Sequence, residues 1–398
     1  SSTLNTLIIG FLIGLTNGFA IWIARDFGAN DEKGMRRKVA GTLQLGMGIS
    51  ITLTIFSVSF LPRILRFVNM PETLMADGIA YIRIILLGMT ASMLYNVCAS
   101  SLRAIGDTFT PLCFLILSTL MNIGLDYFFI LGLKTGVEGA AYATVISQSV
   151  AALLCFMYIW KRYPSLHLSK YDFKMNKELA KTLLTSGFSM GLMQSLVFLG
   201  TFALQGAINT LGTNTIVAHT GARKITEIYM LPFSVLGMTM ATYCSQNYGA
   251  KKIERIKVGL KHVILLAFGW CMIVIVANYA LGPYLIQAVT ATKIDVIIDT
   301  AHLYLKIDTL LYFVPALISI LRNSLQGLGD HKTPIYSSSI ELIGKVLVAI
   351  FLTPKLQYMG IILAEPIVWV LMVIPLIIRI LTMPVLKQAK SHSHELIV

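Results

Sequence analysis

The chain has 398 residues, of which 56% are hydrophobic and only 13% charged, with a mean hydropathy of +0.75 and a formal net charge of +13. Soluble domains carry about 25% charged residues, so this composition excludes a water-exposed surface over most of the molecule. Lipid is the alternative solvent, and a helix crossing its hydrocarbon core of about 30 Å needs about 20 mostly apolar residues.

Apolar runs between charged, Pro or Gly breaks predict eleven spans, at 4–24, 40–60, 80–101, 112–132, 137–159, 182–208, 215–245, 257–282, 302–325, 336–354 and 359–383. They are long and lack period-2 alternation, which favours helices over barrel strands of about 10 residues. The expected fold class is therefore an all-α polytopic membrane protein. The chain opens Ser1-Ser2-Thr3-Leu4-Asn5, with no start Met, charged n-region or cleavage signal, so the first run does not read as a signal peptide.

The basic residues alternate between loops. Segments 25–39, 161–181 and 251–261 hold five, six and five Lys or Arg; with Arg103, Arg322, Lys332, Arg379, Lys387 and Lys390 that side reaches 22, against five (Arg63, Arg66, Lys134, Lys293, Lys355) on the other. By the positive-inside rule the richer side is cytoplasmic, the C-terminus included. The net charge thus reports topology and contact with anionic lipid, not nucleic acid.

Two loop motifs recur along the chain. Arg25-Asp26-Phe27-Gly28-Ala29-Asn30 resembles Gln246-Asn247-Tyr248-Gly249-Ala250-Lys251, with Gly28 and Gly249 lying 221 positions apart. Gly106-Asp107-x-x-Thr110-Pro111 matches Gly329-Asp330-x-x-Thr333-Pro334, with Asp107 and Asp330 lying 223 positions apart. Each suits a tight turn, since Gly tolerates unusual φ, Asp caps, and Pro fits the first turn of a helix. Both copies fall on the basic side, so the halves form a parallel repeat of two pseudo-symmetric bundles. The second half has a span, 182–208, with no counterpart in the first, so eleven helices are read of an expected twelve, the first being absent. The expected organisation is a first lobe at 1–160, a cytoplasmic linker at 161–181, a second lobe at 182–384 and a cytoplasmic tail at 385–398.

Carboxylates inside spans are functional candidates, because an Asp at a helix centre costs roughly 2.5–3.5 kcal/mol on insertion scales. The fourth span carries Asn122 and Asp126, one helical turn apart, and the fifth carries Thr144, Ser147 and Gln148. Asn122, Asp126 and Thr144 could offer oxygens to Na⁺, or Asp126 a protonatable carboxylate to H⁺; the plainer reading is polar contact between helices. In the second half Glu341 and Lys345 are spaced for an intrahelical ion pair, and Glu227, four residues after Arg223 and shortly before Pro232, is spaced either to pair with that arginine or to face a cavity opened by a bend. Gln194 and Met190, with Met193, Met230, Met238 and Met240, could line an adaptable cavity or simply pack. The five cysteines read as buried free thiols, and His331, His392 and His394 give little support to a metal site.

Three runs, Arg103-Ala104-Ile105-Gly106-Asp107, Asn122-Ile123-Gly124-Leu125-Asp126 and Gly136-Val137-Glu138-Gly139-Ala140-Ala141-Tyr142-Ala143-Thr144, resemble the first-lobe pattern of multidrug and toxic compound extrusion (MATE) transporters. Ala222-Arg223-Lys224-Ile225, Pro232, Gln246-Asn247-Tyr248-Gly249-Ala250 and Leu325-Gln326-Gly327-Leu328-Gly329-Asp330 are similar to the second lobe. The resemblance implies twelve helices in two bundles and export of small amphipathic, often cationic compounds across the cell membrane against Na⁺ or H⁺. It implies a monomer without a cofactor. It also carries a first-lobe cation site onto Asp126, Asn122 and Thr144, whose usual Asp partner lies on the helix absent here. One branch of the family instead uses carboxylates on the first and fourth helices of the second lobe. Here the first of those offers Gln194, and Asp308 on the fourth is expected near the outer surface, so coupling is expected in the first lobe, with Glu227, Gln194 and Met190 as substrate-cavity candidates.

The alternatives are a lipid or polysaccharide-precursor flippase of the same superfamily and a non-transporting remnant. A flippase would line its cleft with bases for phosphates, and within the spans the sequence offers chiefly Arg223, Lys224 and Lys345. An intramembrane enzyme would need converging catalytic groups such as H-E-x-x-H, which the sequence lacks.

Overall fold

A computed structural model describes residues 2–67 and 72–387. The chain forms α1 (Ser2–Gly28), α2 (Glu32–Phe67), α3 (Met75–Leu87), α4 (Met89–Ala104), α5 (Phe109–Asp126), α6 (Val137–Arg162), α7 (Lys177–Ile208), α8 (Thr213–Gly249), α9 (Ile253–Thr290), α10 (Asp295–Leu310), α11 (Phe313–Leu328), α12 (Lys332–Leu347), the short α13 (Thr353–Leu356) and α14 (Tyr358–Thr382). No strand occurs among the described residues. Tail residues 388–398, with His392 and His394, lie outside them.

Eight stretches are long and apolar enough to cross a membrane, α12 only together with the turn and α13 that carry it on to Leu356. Two more spans arise when α3 and its leading turn are joined to α4, and α10 to α11, each pair bent at a short break by 41° and 54°. The eleventh expected span is α8, which at 37 residues has ample length but carries His219, Arg223, Lys224 and Glu227 and falls short in apolarity. In sequence each bent pair reads as one straight run. A continuous apolar stretch hides a mid-span break, because lipid-facing side chains are the same on both sides of it.

The chain divides into two compact units, Ser1–Gly191 and Leu192–Val398. In the first, Leu12, Leu15 and Phe19 of α1 pack with Leu61, Leu65, Ile82, Leu86 and Met93 from α2, α3 and α4. The start of α7 joins this unit through a close backbone crossing: a Cβ on Gly18 would stand 2.3 Å from the Ser186 carbonyl oxygen. Small residues serve this purpose where helices meet in lipid. By contrast α5 is almost bare, with Leu112, Leu115, Ile116, Leu120 and Ile123 exposed. Such an apolar face suits lipid and not water as its solvent. The second unit is centred on a larger cluster that includes Phe233, Tyr304, Tyr312, Ile320, Leu325 and Trp369.

The repeat read from two loops extends to the backbone. Gly106 and Gly329 have φ of 96° and 97°, and Asn30 and Lys251, also 221 positions apart, have 56° and 57°. Each is the left-handed residue ending a helix, with paired back-bonds: Asp107 N to Leu102 O (3.0 Å) and Asp330 N to Leu325 O (2.9 Å) in one set, Asp31 N to Asp26 O (2.9 Å) and Lys252 N to Asn247 O (2.8 Å) in the other. The aspartates then cap the next helix. Asp107 accepts from Thr110 N (3.0 Å) and from the Tyr163 hydroxyl (2.8 Å), and Asp330 accepts from Thr333 N (3.1 Å) and is paired with Arg379. Partial burial opposes ionisation of Asp107, but the Thr110 and Tyr163 hydrogen bonds outweigh it and hold its carboxyl below the ordinary range. Asp330 is lowered likewise, burial being outweighed by Thr333 and Arg379. Burial and the Asp107 hydrogen bond together push the Tyr163 phenol up to about 12.

Candidate ion and substrate sites

In the first unit the polar groups converge on a cavity of about 280 Å³. Its wall holds Asn122 from α5, Thr144, Ser147 and Gln148 from α6, and Ser92 and Asn96 from α4. Asn122 Nδ2 donates to Thr144 Oγ1 (3.3 Å), and Thr144 in turn donates to the Ala140 carbonyl (3.0 Å). Ser92 is hydrogen-bonded to Gln148. No ionisable carboxylate or amine lines this cavity among the described residues. Asp126, one turn beyond Asn122, is outside the lining, yet its Oδ1 is buried and has no hydrogen-bond partner. The structure therefore joins Asn122 to Thr144 and leaves Asp126 adjacent, with an unfilled acceptor.

The second unit is charged where the first is neutral. Arg322 of α11, Glu341 and Lys345 of α12, Glu365 of α14 and Arg223 of α8 form a continuous ladder. Its steps are Arg322 Nη2 to Glu341 Oε2 (3.7 Å), Lys345 Nζ to Glu341 Oε1 (3.0 Å), Lys345 Nζ to Glu365 Oε1 (3.4 Å) and Arg223 Nη1 to Glu365 Oε1 (3.0 Å). Lys345 also donates to Thr201 of α7 (3.4 Å). Lone charges at this depth are costly, and the arrangement gives each carboxylate two cationic neighbours. The ladder ends at a cavity of about 290 Å³ whose wall includes Arg223, Lys224, Glu227, His219, Tyr304 and Glu365.

Several sequence expectations are corrected. Arg223 pairs with Glu365, 142 residues away, and not with Glu227. Arg322, counted with the cytoplasmic loops, is 7% exposed and belongs to the ladder. Asp308 is fully buried, because its span begins at Asp295 and not near 302; it sits one turn before the α10 to α11 break, at mid-span. The Tyr312 hydroxyl lies 3.1 Å from Asp308 Oδ2 and 3.3 Å from Thr226 Oγ1, while Asp308 Oδ1 has no hydrogen-bond partner. Tyr304 and Asp308, four apart, share one face of α10, and Tyr312 reaches Asp308 from the break that follows. Glu227 does line the cavity, whereas Gln194 and Met190 are not in its lining; Met190 is 2% exposed, with its backbone against Gly14 of α1. Four cysteines are buried, but Cys113, on the bare α5, is exposed.

Long apolar helices in two repeated units, broken at mid-span and enclosing polar and ionisable groups, define a polytopic helical membrane protein. The MatE family model matches residues 1–128 and 189–351, and the chain belongs to this family of multidrug efflux transporters. It is 29% identical over 370 residues to the probable multidrug resistance protein YoeA of Bacillus subtilis, covering 90% of this chain and 80% of that one. It is 24% identical over 379 residues to the probable multidrug resistance protein NorM of Thermotoga maritima, covering 92% and 79%. A crystal structure described as MATE in complex with MaL6 shares the fold, with a TM-score of 0.87 at 24% identity over 95% of this chain and 86% of that one.

Proposed function

We propose that this transporter is a secondary antiporter of the cell membrane, exporting small amphipathic, often cationic compounds in exchange for Na⁺ or H⁺, with its C-terminus cytoplasmic. Coupling is assigned to Asp126, Asn122 and Thr144. The observation that carries this is the buried, unpartnered Asp126 Oδ1 one turn from the bonded Asn122 and Thr144. A hard cation or a proton would supply what that oxygen lacks. Neutralising a carboxylate also changes the cost of burying it, and a transport cycle can be biased by a ligand only through such a difference between its two states. Glu227, exposed on the second unit's cavity wall, gives a cationic group of the substrate a counter-charge.

A second reading places coupling at Asp308, supported by its complete burial and its own unpartnered Oδ1. The test compares Asp126→Asn with Asp308→Asn in vesicles, with Na⁺ and pH gradients imposed separately and efflux of an organic cation followed. The first reading expects ion-driven efflux to vanish in Asp126→Asn, while facilitated equilibration of the dye continues. Gradient-driven efflux at the unaltered rate by Asp126→Asn, together with its loss in Asp308→Asn, moves coupling to the second unit.

A further inference from the structure

The α9 helix carries an open groove of about 640 Å³, lined by His262, Leu265, Leu266, Gly269, Trp270 and Ile273. These positions recur at three and four residues, so they form one stripe along the helix. Gly269 makes the groove: a Cβ added there would meet nothing within 4 Å, and the missing side chain leaves a notch between the exposed Leu265, Leu266 and Ile273. Trp270 is a fixed wall, because its indole Nε1 donates to the Tyr229 carbonyl of α8 (2.9 Å). From His262 to Ile273 the stripe rises about 16 Å at 1.5 Å per residue, close to the depth of one leaflet in a hydrocarbon core of about 30 Å. Bases stand at one end of it. Lys261 and His262 are exposed at its mouth, and Arg255 is exposed two turns earlier on the same face, with Lys251 and Lys252 just before the helix. After Lys261 no Lys or Arg occurs until Lys293. Lys251, Lys252, Arg255 and Lys261 are in no ion pair among the described residues, and the nearby acidic group, Glu254, is paired with Lys257 (2.9 Å). The repeat supplies a control. At the 221-residue spacing Gly48 of α2 matches Gly269 and is equally open, but Gly34, Ala40, Gln44 and Thr52 stand where α9 has Arg255, Lys261, Leu265 and Ile273. The bare α5 likewise has no base between Phe109 and Asp126. The apolar notch and the basic mouth coincide on α9 and on neither of these helices.

We propose that this groove binds an anionic phospholipid, its phosphate held by Lys261 and Arg255 and one acyl chain lying over Gly269 against Trp270. Inside a bilayer an acyl chain gains no hydrophobic energy by leaving its neighbours, so the groove selects by fit and the mouth by charge. The fit is prepared on the protein side: an indole held by a hydrogen bond and a helix backbone bared at glycine lose little freedom when a chain lies on them. The charge is directional, since a guanidinium meets a phosphate through a planar fork and a lysine adds a point charge. A zwitterionic headgroup brings its own ammonium to the same bases and is held less well. A second copy of this chain is a poorer occupant, because across a two-fold interface the basic mouth would face itself. The assignment depends neither on what the protein exports nor on the ion that drives it.

Phospholipids brominated in mid-chain quench a tryptophan they touch, so Trp270 reports the occupant of the groove. The protein is reconstituted in phosphatidylcholine vesicles that contain the same fraction of either brominated phosphatidylglycerol or brominated phosphatidylcholine, and the Trp270 signal is taken by difference from Trp270→Phe. The phosphatidylglycerol is expected to bind about tenfold more tightly at Trp270. Arg255→Gln combined with Lys261→Gln should bring the two lipids to equal quenching, while Arg255→Lys should keep most of the preference. Gly269→Leu, whose side chain has room, should lower the quenching of Trp270 by both lipids. The altered bases and Gly269 are exposed, and unchanged helical circular dichroism checks that these variants keep the fold. Equal quenching by both lipids in the unaltered protein, a preference that survives loss of the two bases, or quenching unmoved by Gly269→Leu overturns the proposal. Trp270 left unquenched by either lipid, in a protein that cross-links to a second copy through α9, overturns it in favour of a dimer contact.

Discussion

At matching places the two units carry opposite chemistry. Ser118 and Asn122 of α5 stand 223 positions before Glu341 and Lys345 of α12, the same spacing that relates Asp107 to Asp330 and Gly106 to Gly329. On the first unit's helix these positions face a cavity of hydroxyls and amides; on the second's they are rungs of a charged ladder. Neutral polar groups can be left partly unpaired beside a cavity at modest cost, so the first unit keeps a loose set with an unfilled acceptor at Asp126. Charges cannot, and the second unit has recruited α8, α11 and α14 to neutralise one pair on α12. One repeated backbone therefore supports a site open to a small ion and a site organised around fixed charge.

The largest expected effect comes from cutting the ladder. Glu365→Gln preserves shape but removes the charge shared by Lys345 and Arg223, and breaking a buried pair costs about 3–5 kcal/mol; the fall should appear in the melting temperature of the purified protein. A loss below about 1 kcal/mol would mean that water already screens these groups. Next in size, Ser118→Glu places the second unit's carboxylate at its counterpart in the neutral cavity, at a cost of about 2.5–3.5 kcal/mol. Adding Asn122→Lys should recover most of it. If the pair recovers nothing, the two cavities differ in more than their charges. The smallest effect lies in the shared loops, where Asp107→Ala and Asp330→Ala should each cost about 1 kcal/mol. Because both carboxyls are held below their ordinary value, their contribution is present above about pH 4 and fades as the pH falls through the folded-state values. Melting temperatures of the unaltered protein and these variants should therefore keep their separation between pH 7 and about pH 5 and begin to approach one another only below about pH 4.

Much of the fold was legible because lipid imposes a length and an apolarity that a single sequence displays. The repeat was legible because two turns require Gly and Asp at fixed offsets. The break before Phe313 was not, since Leu310, Leu311, Tyr312 and Phe313 read as one apolar run. That omission shifted the inferred start of the span and sent Asp308 to the surface. The pairing of Glu341 with Lys345 could be read from spacing along one helix. That of Arg223 with Glu365 could not, because it depends on which helices meet. For Arg322 a counting rule for loop charges misassigned a side chain that the fold turns inward.

The ladder also sets a timetable. When ribosomes release α8, Arg223 has no partner, because Glu365 lies 142 residues further along the chain. At about 5–20 residues per second that is a wait on the order of ten seconds. During it, Arg223 must be sheltered by translocon, water or lipid headgroups, whereas Lys345 emerges with Glu341 already one turn behind it. The second unit thus cannot reach its final arrangement helix by helix; it closes when α14 arrives, and a chain shortened before that helix would be recognisable to quality control by its stranded Arg223.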